Sequence, residues 1–583
     1  MLRSICHERF YETGFWQDQA LGICVGWTTL GGVAAQRQPI LDEEGDISLI
    51  LSGECYGDRP IDAVAITSNK SGNSDGSAGS DGFLPAVAEN LAELNGVFHG
   101  VVVDRKLGQV LLFNDRYGMH RLFYHESEDA FYFGSEAKAI LAVRPELRAL
   151  DERSVGEFVA CGCVLDNRTI FKHIYSFPAA SSWLFNYGEL TRKGTYFDPH
   201  VWEEQAVLTG QEFYVQLRKT VRDSLPHYFS SDARAGVAMT GGLDTRVIVA
   251  CHQAAPGAMP TYTFGSTLRE THDVRIAREV ASVLEQTHQV IQAGDEFIAN
   301  FPAYAQRCVY LTEGTVDVSR ASDLYMSQKA RDICPVKVVG TYGSEILRRA
   351  VMFKPVEPHP NLFVPEFVAE VSKSRGTYAV LRQKHPVTFA AFVQSPWYHH
   401  GILALEQSQL TVRSPFLDKE FVRVAYLSPD QTGTGEDYRL RLVADANPAL
   451  ARIPSDRGLR MHMSPLNHLV HRIREFSFKA EYAYDYGMPQ NVARVDHALS
   501  WLHLERLFLG RHKLLHFRTW YKEQLADYVR QMLLDPLTLR RSYLNKQTVE
   551  RIVGAHIAGT YNYTTAIHKL LTLEIMQREF FEL

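Results

Sequence analysis

A mixed α/β chain is predicted, with an antiparallel sandwich first, a parallel sheet flanked by helices second, and a helical extension last. Three observations carry this. The first 200 residues hold short apolar or aromatic runs set apart by turn residues. Beyond a break near residues 195 to 210, around Asp198-Pro199-His200, strand-like and helix-like stretches alternate, as in a parallel sheet with helices on its faces. From about Phe421 to Leu583 the pattern is mostly helical.

The N-terminal runs are Ile47 to Leu51, Gly100 to Val103, Val110 to Phe113, Leu122 to Tyr124 and Phe131 to Phe133. Glu43-Glu44-Gly45-Asp46 and Asn114-Asp115-Arg116 are turn signals between them. Ser68 to Gly82 is a low-complexity loop. It contains G-x-S-x-G as Gly72 to Gly76, but a nucleophile elbow needs a strand before it and a helix after it, and neither is readable there. After the break come a strand at Ala235 to Met239, a Gly-rich turn, a helix through Arg246 to Cys251, and a strand at Thr261 to Phe264. Asp273 to Leu284 places Ala277, Val280, Ala281 and Leu284 on one helical face. Val290-Ile291 and Val336 to Val339 complete the strands. Domains are expected at 1–200, 205–465 and 466–583.

The chain has 583 residues, 45% hydrophobic and 22% charged, with 61 Lys+Arg against 67 Asp+Glu. A net charge of −6 gives no global reason to bind nucleic acid or an anionic membrane. No stretch approaches the ~18 continuous apolar residues of a spanning helix, and Met1 to Arg9 carries charge where a signal peptide would be apolar. The eight cysteines are scattered, and the one close pair, Cys161-Gly162-Cys163, lacks zinc-ligand spacing. Reduced thiols and a cytoplasmic location are expected.

The strongest chemical signal is Met239-Thr240-Gly241-Gly242-Leu243-Asp244-Thr245-Arg246, placed after a strand and opening a helix. Two glycines let the backbone approach an anion closely. The hydroxyls of Thr240 and Thr245 and the N–H groups at the helix start can hold phosphate oxygens. Asp244 would repel phosphate directly, so its expected task is to hold Mg2+ beside one. His399-His400, and His468 with His471, have no readable third ligand and are expected to be structural or substrate-lining.

This loop resembles the S-G-G-x-D-S pyrophosphate loop of the asparagine synthetase and β-lactam synthetase-like family, with threonines for both serines. Thr263-Phe264-Gly265 is similar to the family's T-F-S adenine segment, and Arg413-Ser414-Pro415-Phe416-Leu417-Asp418 to its R-x-P-F-L-D. Gly53-Glu54 with Tyr56, Asp115-Arg116-Tyr117-Gly118, and Phe133 to Ala139 resemble motifs of the class II glutamine amidotransferase domain. The resemblance implies an αββα Ntn-type sandwich followed by an ATP-pyrophosphatase domain. Position 2 is Leu2 where the family's glutaminase exposes an N-terminal cysteine, Cys6 takes that role only after processing, and Ser52 replaces the oxyanion asparagine. Glutaminase activity is therefore expected to be absent.

Val339 to Arg349 is similar to the family's G-E-G-A-D-E-L. One alignment gives Tyr342 the place of a proton acceptor and Glu345 that of a metal ligand paired with Asp244. An alignment offset by one residue gives the metal place to Ser344. Arg457 stands where a lysine contacts pyrophosphate, and Glu406 where the family has a glutamate. Glu406, Glu366 and Glu370 are candidate partners for Tyr342. Arg246, Arg348, Arg349 and Arg457 form a local basic set toward the phosphates. The resemblance thus implies ATP binding by Thr240, Gly241, Gly242, Asp244, Thr245, Phe264 and Gly343, catalysis by Tyr342, Arg457 and Glu406, and Mg2+ on Asp244 and Glu345. The reaction it implies is ATP-dependent ligation of a small-molecule or peptide carboxylate to an amine or ammonia through an acyl-adenylate. A homodimer is a further expectation. A glutamine-dependent asparagine synthetase and a non-catalytic scaffold are the alternatives.

Overall fold

The computed structural model describes residues 1–31, 38–42, 45–57, 83–230, 233–429, 437–460, 464–499, 505 and 508–582. The Ser68 to Gly82 loop, with its G-x-S-x-G, lies outside the described residues, as do Glu43 and Glu44.

The N-terminal strands are Tyr11–Asp18 (β1), Ile23–Leu30 (β2), Ile40–Leu41 (β3), Ile47–Cys55 (β4), Gly96–Asp104 (β5), Gln109–Asn114 (β6), Phe123–Glu126 (β7), Phe131–Gly134 (β8), Tyr175–Ser176 (β9), Ser181–Asn186 (β10) and Glu189–Thr195 (β11). Six pair antiparallel in the order β11-β10-β6-β5-β4-β3. Alternation assigns their side chains to two faces. Ile50, Val101, Val103, Val110, Leu112, Trp183 and Phe185 point into one core, together with Val25 and Trp27 of β2, Tyr124 of β7, and Leu122 just before β7. Leu49, Val102, Leu111, Phe113 and Leu184 point to the other face, which the helix Phe83–Glu93 covers through Val87 and Leu91. Helices Ala137–Leu141 and Glu152–Cys161 cap the far side. The layers are helix, sheet, sheet, helix, as expected.

The second sheet is wholly parallel. Its strands are Ala235–Ala238 (β12), Thr261–Gly265 (β13), His288–Gln292 (β14), Val336–Val338 (β15) and Thr411–Arg413 (β16), in the order β14-β13-β12-β15-β16. The chain runs outward from β12 through β13 to β14, then returns to the other side of β12 for β15. That reversal opens a crevice beyond the carboxyl ends of β12 and β15.

The C-terminal helices do not stand apart. Phe517, Tyr521, Ile567 and Leu571 share one apolar core with Phe301, Val309 and Leu324 of the middle segment and Phe158 and Val159 of the first. No helix among the described residues is long and apolar enough to cross a membrane. The cysteines are free thiols.

Two polar clamps join the first two segments. Arg413 donates Nε and Nη2 to the Glu54 carboxylate at 2.8 and 2.6 Å, and Nη1 to the Tyr228 carbonyl at 3.0 Å. Asn95 donates to Asp418 at 2.8 Å and accepts from the Lys419 N–H at 2.8 Å. Glu54 and Arg413 belong to motifs that are more than 350 residues apart in the chain. Replacing Glu54 by Ala strands a guanidinium that is 95% covered (side chain 5% exposed). Loss of such a charge-assisted pair costs about 2–3 kcal/mol, so the apparent Tm should fall by several degrees in a thermal melt. Arg413→Lys should recover little, since one ammonium cannot reproduce the fork. An unchanged Tm in both variants would show that the clamp is not structural.

Candidate active site

The loop after β12 and the loop after β15 meet at the crevice. Gly241 donates its N–H to Asp273 Oδ1 at 2.8 Å, and its carbonyl accepts from the Asp456 N–H at 3.0 Å. A methyl group there would lie 2.8 Å from Asp273 Oδ1 and 2.9 Å from Asp456 Cβ, so only glycine fits. Thr240 is exposed, and its hydroxyl accepts from the Gly242 N–H at 3.2 Å. Gly242 caps the helix Leu243–His252 without a side-chain bond, which leaves amides at the helix start for an anion. Thr245 is buried beneath Gly340, where an added methyl would come within 2.5 Å of the Thr245 nitrogen.

The second loop turns at Tyr342, whose φ of +76° is left-handed, into the helix Gly343–Arg348. Gly343 lies so close to Asp244 that a methyl would sit 2.8 Å from its carboxyl carbon. Asp244 accepts from Ser344 Oγ at 2.7 Å through Oδ2 and from Arg439 Nη1 at 2.8 Å through Oδ1. Glu345 faces another way, since consecutive helical residues diverge by about 100°. Its carboxylate lies 3.3 Å from His399 Nε2. Ser344 is thus the residue that touches Asp244, as in the offset alignment.

The buried Tyr342 ring packs edge-on against His399 at 5.1 Å. Burial first, then the nearby carboxylates of Glu345, Glu406 and Asp115, push its hydroxyl well above the usual value of 10. It stays protonated near neutrality. Glu406 is paired with the buried Lys337 at 2.7 Å, and Lys337 Nζ lies 5.6 Å from the Phe264 ring centroid. Glu366 is exposed, and Glu370 pairs with Lys373 on a helix, Pro365–Leu381, that packs against Glu152–Cys161.

Arg457 is half exposed. It stacks 4.0 Å over Phe478 and faces Glu475 at 3.5 Å. The helix Pro465–Tyr482 holds this segment, with His471 Nδ1 2.7 Å from the Arg457 carbonyl and Arg474 donating to the Ser455 carbonyl at 3.1 Å. The expectation that Arg246 meets phosphate is corrected. Its guanidinium is buried and spent on the carbonyls of Ile453, Gly241 and Pro454, at 2.6, 3.3 and 3.1 Å. Arg246 fastens the 453–456 segment to the loop. Arg349 is likewise engaged, with the Ser428 carbonyl, while Arg348 is exposed.

The donor chemistry at Asp244 suits Mg2+, which takes one or two protein oxygens and completes its shell with phosphate oxygens and water. Asp244 Oδ2 and Ser344 Oγ supply two. No set of three or more His, Cys, Asp or Glu among the described residues forms a metal cage. In the first domain, Cys6 is exposed with its Sγ 4.0 Å from the Glu8 carbonyl, and Ser52 Oγ is tied to His120 Nε2 at 2.9 Å. Sequence reasoning missed Arg439, Lys337 and the His399–Glu345 pair. Asp437 and Arg439 gave only a two-residue acid–base spacing as a signal.

Asp273 has its carboxyl raised to about 6 by burial and then by the Asp456 charge. A raised acid favours the protonated fold, so its contribution to stability is full below about 3.8 and is lost as pH rises through about 6. Asp273→Asn keeps an acceptor for Gly241 and removes the charge. Its Tm should exceed that of the parent at pH 8, by on the order of 2 kcal/mol of stability, and the gap should close by pH 4. A gap independent of pH would refute the assignment.

The family model described as a glutamine amidotransferase domain matches residues 1–197, and the one described as asparagine synthase matches residues 216–346. A glutamine-hydrolysing asparagine synthetase of Bacillus subtilis is 22% identical over 375 residues, 62% of this chain and 58% of its own length. A probable asparagine synthetase of Schizosaccharomyces pombe is 24% identical over 463 residues, 73% of this chain and 72% of its own. The matched region thus spans about three-fifths of the first of these relatives. Among solved structures, an NMN synthetase of Francisella tularensis covers 44% of this chain and 99% of its own at 14% identity, with a TM-score of 0.18, a likeness too low to argue from.

Proposed function

Since the chain belongs to the asparagine synthetase-like family, we propose that it is an ATP-dependent ligase that joins a carboxylate to an amine or ammonia without hydrolysing glutamine. The observation that carries this is the glycine loop at the sheet's reversal point, with Asp244 facing Ser344 across it. The substrate carboxylate attacks the α-phosphorus of ATP, the bond to the β-phosphate oxygen breaks, and pyrophosphate leaves an acyl-adenylate. The amides at the start of Leu243–His252, Thr240 and Arg457 take the charge that grows on the phosphates. Phe264 offers the ring on which the adenine would stack, and the Lys337–Glu406 pair lies beside it. Mg2+ on Asp244 and Ser344 would neutralise phosphate charge in that step.

In the second step the amine attacks the acyl carbonyl, AMP leaves, and the amine's proton passes to His399. Glu345, with its carboxylate 3.3 Å from Nε2, compensates the imidazolium, a histidine base with a carboxylate beside it. Tyr342, kept protonated by its surroundings, donates to the tetrahedral oxygen or orients the amine. This replaces the expectation that the tyrosine itself accepts the proton. The exposed Cys6 and the engaged Ser52 favour an external amine over glutamine. Eight unpaired cysteines suit a reducing, cytoplasmic setting. The oligomer expected is a homodimer.

ATP–pyrophosphate exchange against a panel of amino acids, sugar acids and peptides tests the first step. Asp244→Ala should abolish exchange, and retained exchange would sink the phosphate-site reading. His399→Ala should keep exchange while amide formation drops by about 10²–10⁴-fold. An equal loss in both assays would remove His399 from the second step. Glutamate release from glutamine by the purified chain would favour the glutamine-dependent reading instead.

A further inference from the structure

Asp244 is already neutralised. Arg439, whose side chain is 4% exposed, spans two carboxylates: Nη1 reaches Asp244 Oδ1 at 2.8 Å, while Nε and Nη2 form a fork on Asp437 at 2.9 and 2.6 Å. Nη1 also lies 3.0 Å from Ser344 Oγ, which itself donates to Asp244 Oδ2. Oδ1 of Asp244 is therefore engaged by the guanidinium, and Oδ2 by the Ser344 hydroxyl that the same guanidinium touches. Arg439 is the second residue of the helix Tyr438–Ala446, and Asp437 caps that helix by accepting from the Arg439 N–H at 3.1 Å, so the guanidinium is anchored from below. Arg348 adds positive charge beside Asp437.

We infer that Arg439 is a resident counter-cation that bars a divalent metal from Asp244 until nucleotide phosphates arrive, so that metal enters only with ATP. The inference rests on the ATP reading above and deepens it. A dication beside a neutral Asp244–Arg439 pair meets one guanidinium and gains no free carboxylate. Triphosphate brings several negative charges and reverses that balance. Asp244 then has metal to bind, and Nη1 turns to phosphate while Nε and Nη2 stay on Asp437, where the planar fork is at its best. Arg439 is thus a positioning residue with two settings, one on the loop carboxylate and one on the ligand.

Mn2+ binding by the full-length protein, read from the loss of the free Mn2+ electron paramagnetic resonance signal, tests this without turnover. The parent protein and Arg439→Lys, which keeps the charge, should take up no Mn2+ alone but should do so with an ATP analogue that resists cleavage between the α- and β-phosphates. Arg439→Met should bind Mn2+ without nucleotide about tenfold or more tightly, and Arg439→Met with Asp244→Asn should lose that site. Parent protein that binds Mn2+ alone as tightly as Arg439→Met would overturn the inference. So would a folded Arg439→Met, checked by circular dichroism, that gains nothing. If Arg439→Met does not fold, the parent arm decides: uptake without nucleotide overturns the idea, and uptake only with nucleotide supports it. Failure of the analogue to bind any variant would count against the ATP reading, while the nucleotide-free arms still report on Arg439.

Discussion

The contact on which the molecule turns is the seating of one loop inside another at the centre of the parallel sheet. The backbone at Gly340 lies against Thr245, and that at Gly343 against Asp244, with no room for a methyl group at either place. Two strands carry the chain to this point, because β12 and β15 are neighbours in the sheet though about a hundred residues apart. Everything chemical follows from that proximity. It brings Ser344 to Asp244, turns Tyr342 into the left-handed region, and aims Glu345 at His399 on the opposite side. The site is therefore tightly packed at Gly340 and Gly343 and is made of longer side chains around Tyr342 and His399.

Much of this was legible in the chain, and the reason is locality. A turn that must approach an anion needs glycines within a few residues of each other, so Gly241, Gly242 and Gly343 announce themselves. Strands buried on one or both faces leave apolar runs, so β4 to β8 and β12 to β15 were found to within a residue or two at most ends. The failures are equally physical. β1, Tyr11–Asp18, mixes a glycine, acids and aromatics because it lies at the rim of a small sheet, and no alternation marks it. Arg439 reaches Asp244 across 195 residues, and Lys337 reaches Glu406 across 69. Ion pairs of that span leave no periodic trace. Arg246 misled for the opposite reason: next to an anion loop a cation reads as a ligand, yet burial commits it to backbone carbonyls.

The surroundings of Tyr342 change most when contacts replace spacing. A tyrosine in that turn reads as a base only if something draws its proton away, and three carboxylates around a buried phenol do the reverse. One of them, Glu345, also lies beside His399. His399 sits where sequence spacing alone could offer only a lining role, and its neighbour His400 belongs to the helix His400–Gln407 that carries Glu406 toward Lys337.

The shared apolar core bears on why the first domain persists at all. Its helix Glu152–Cys161 lends Phe158 and Val159 to the same interior as the C-terminal helices, and Glu54 answers the charge of Arg413. Without these residues the second segment would expose apolar surface and an uncompensated guanidinium. Selection can keep such a domain for its contribution to solvent exclusion alone.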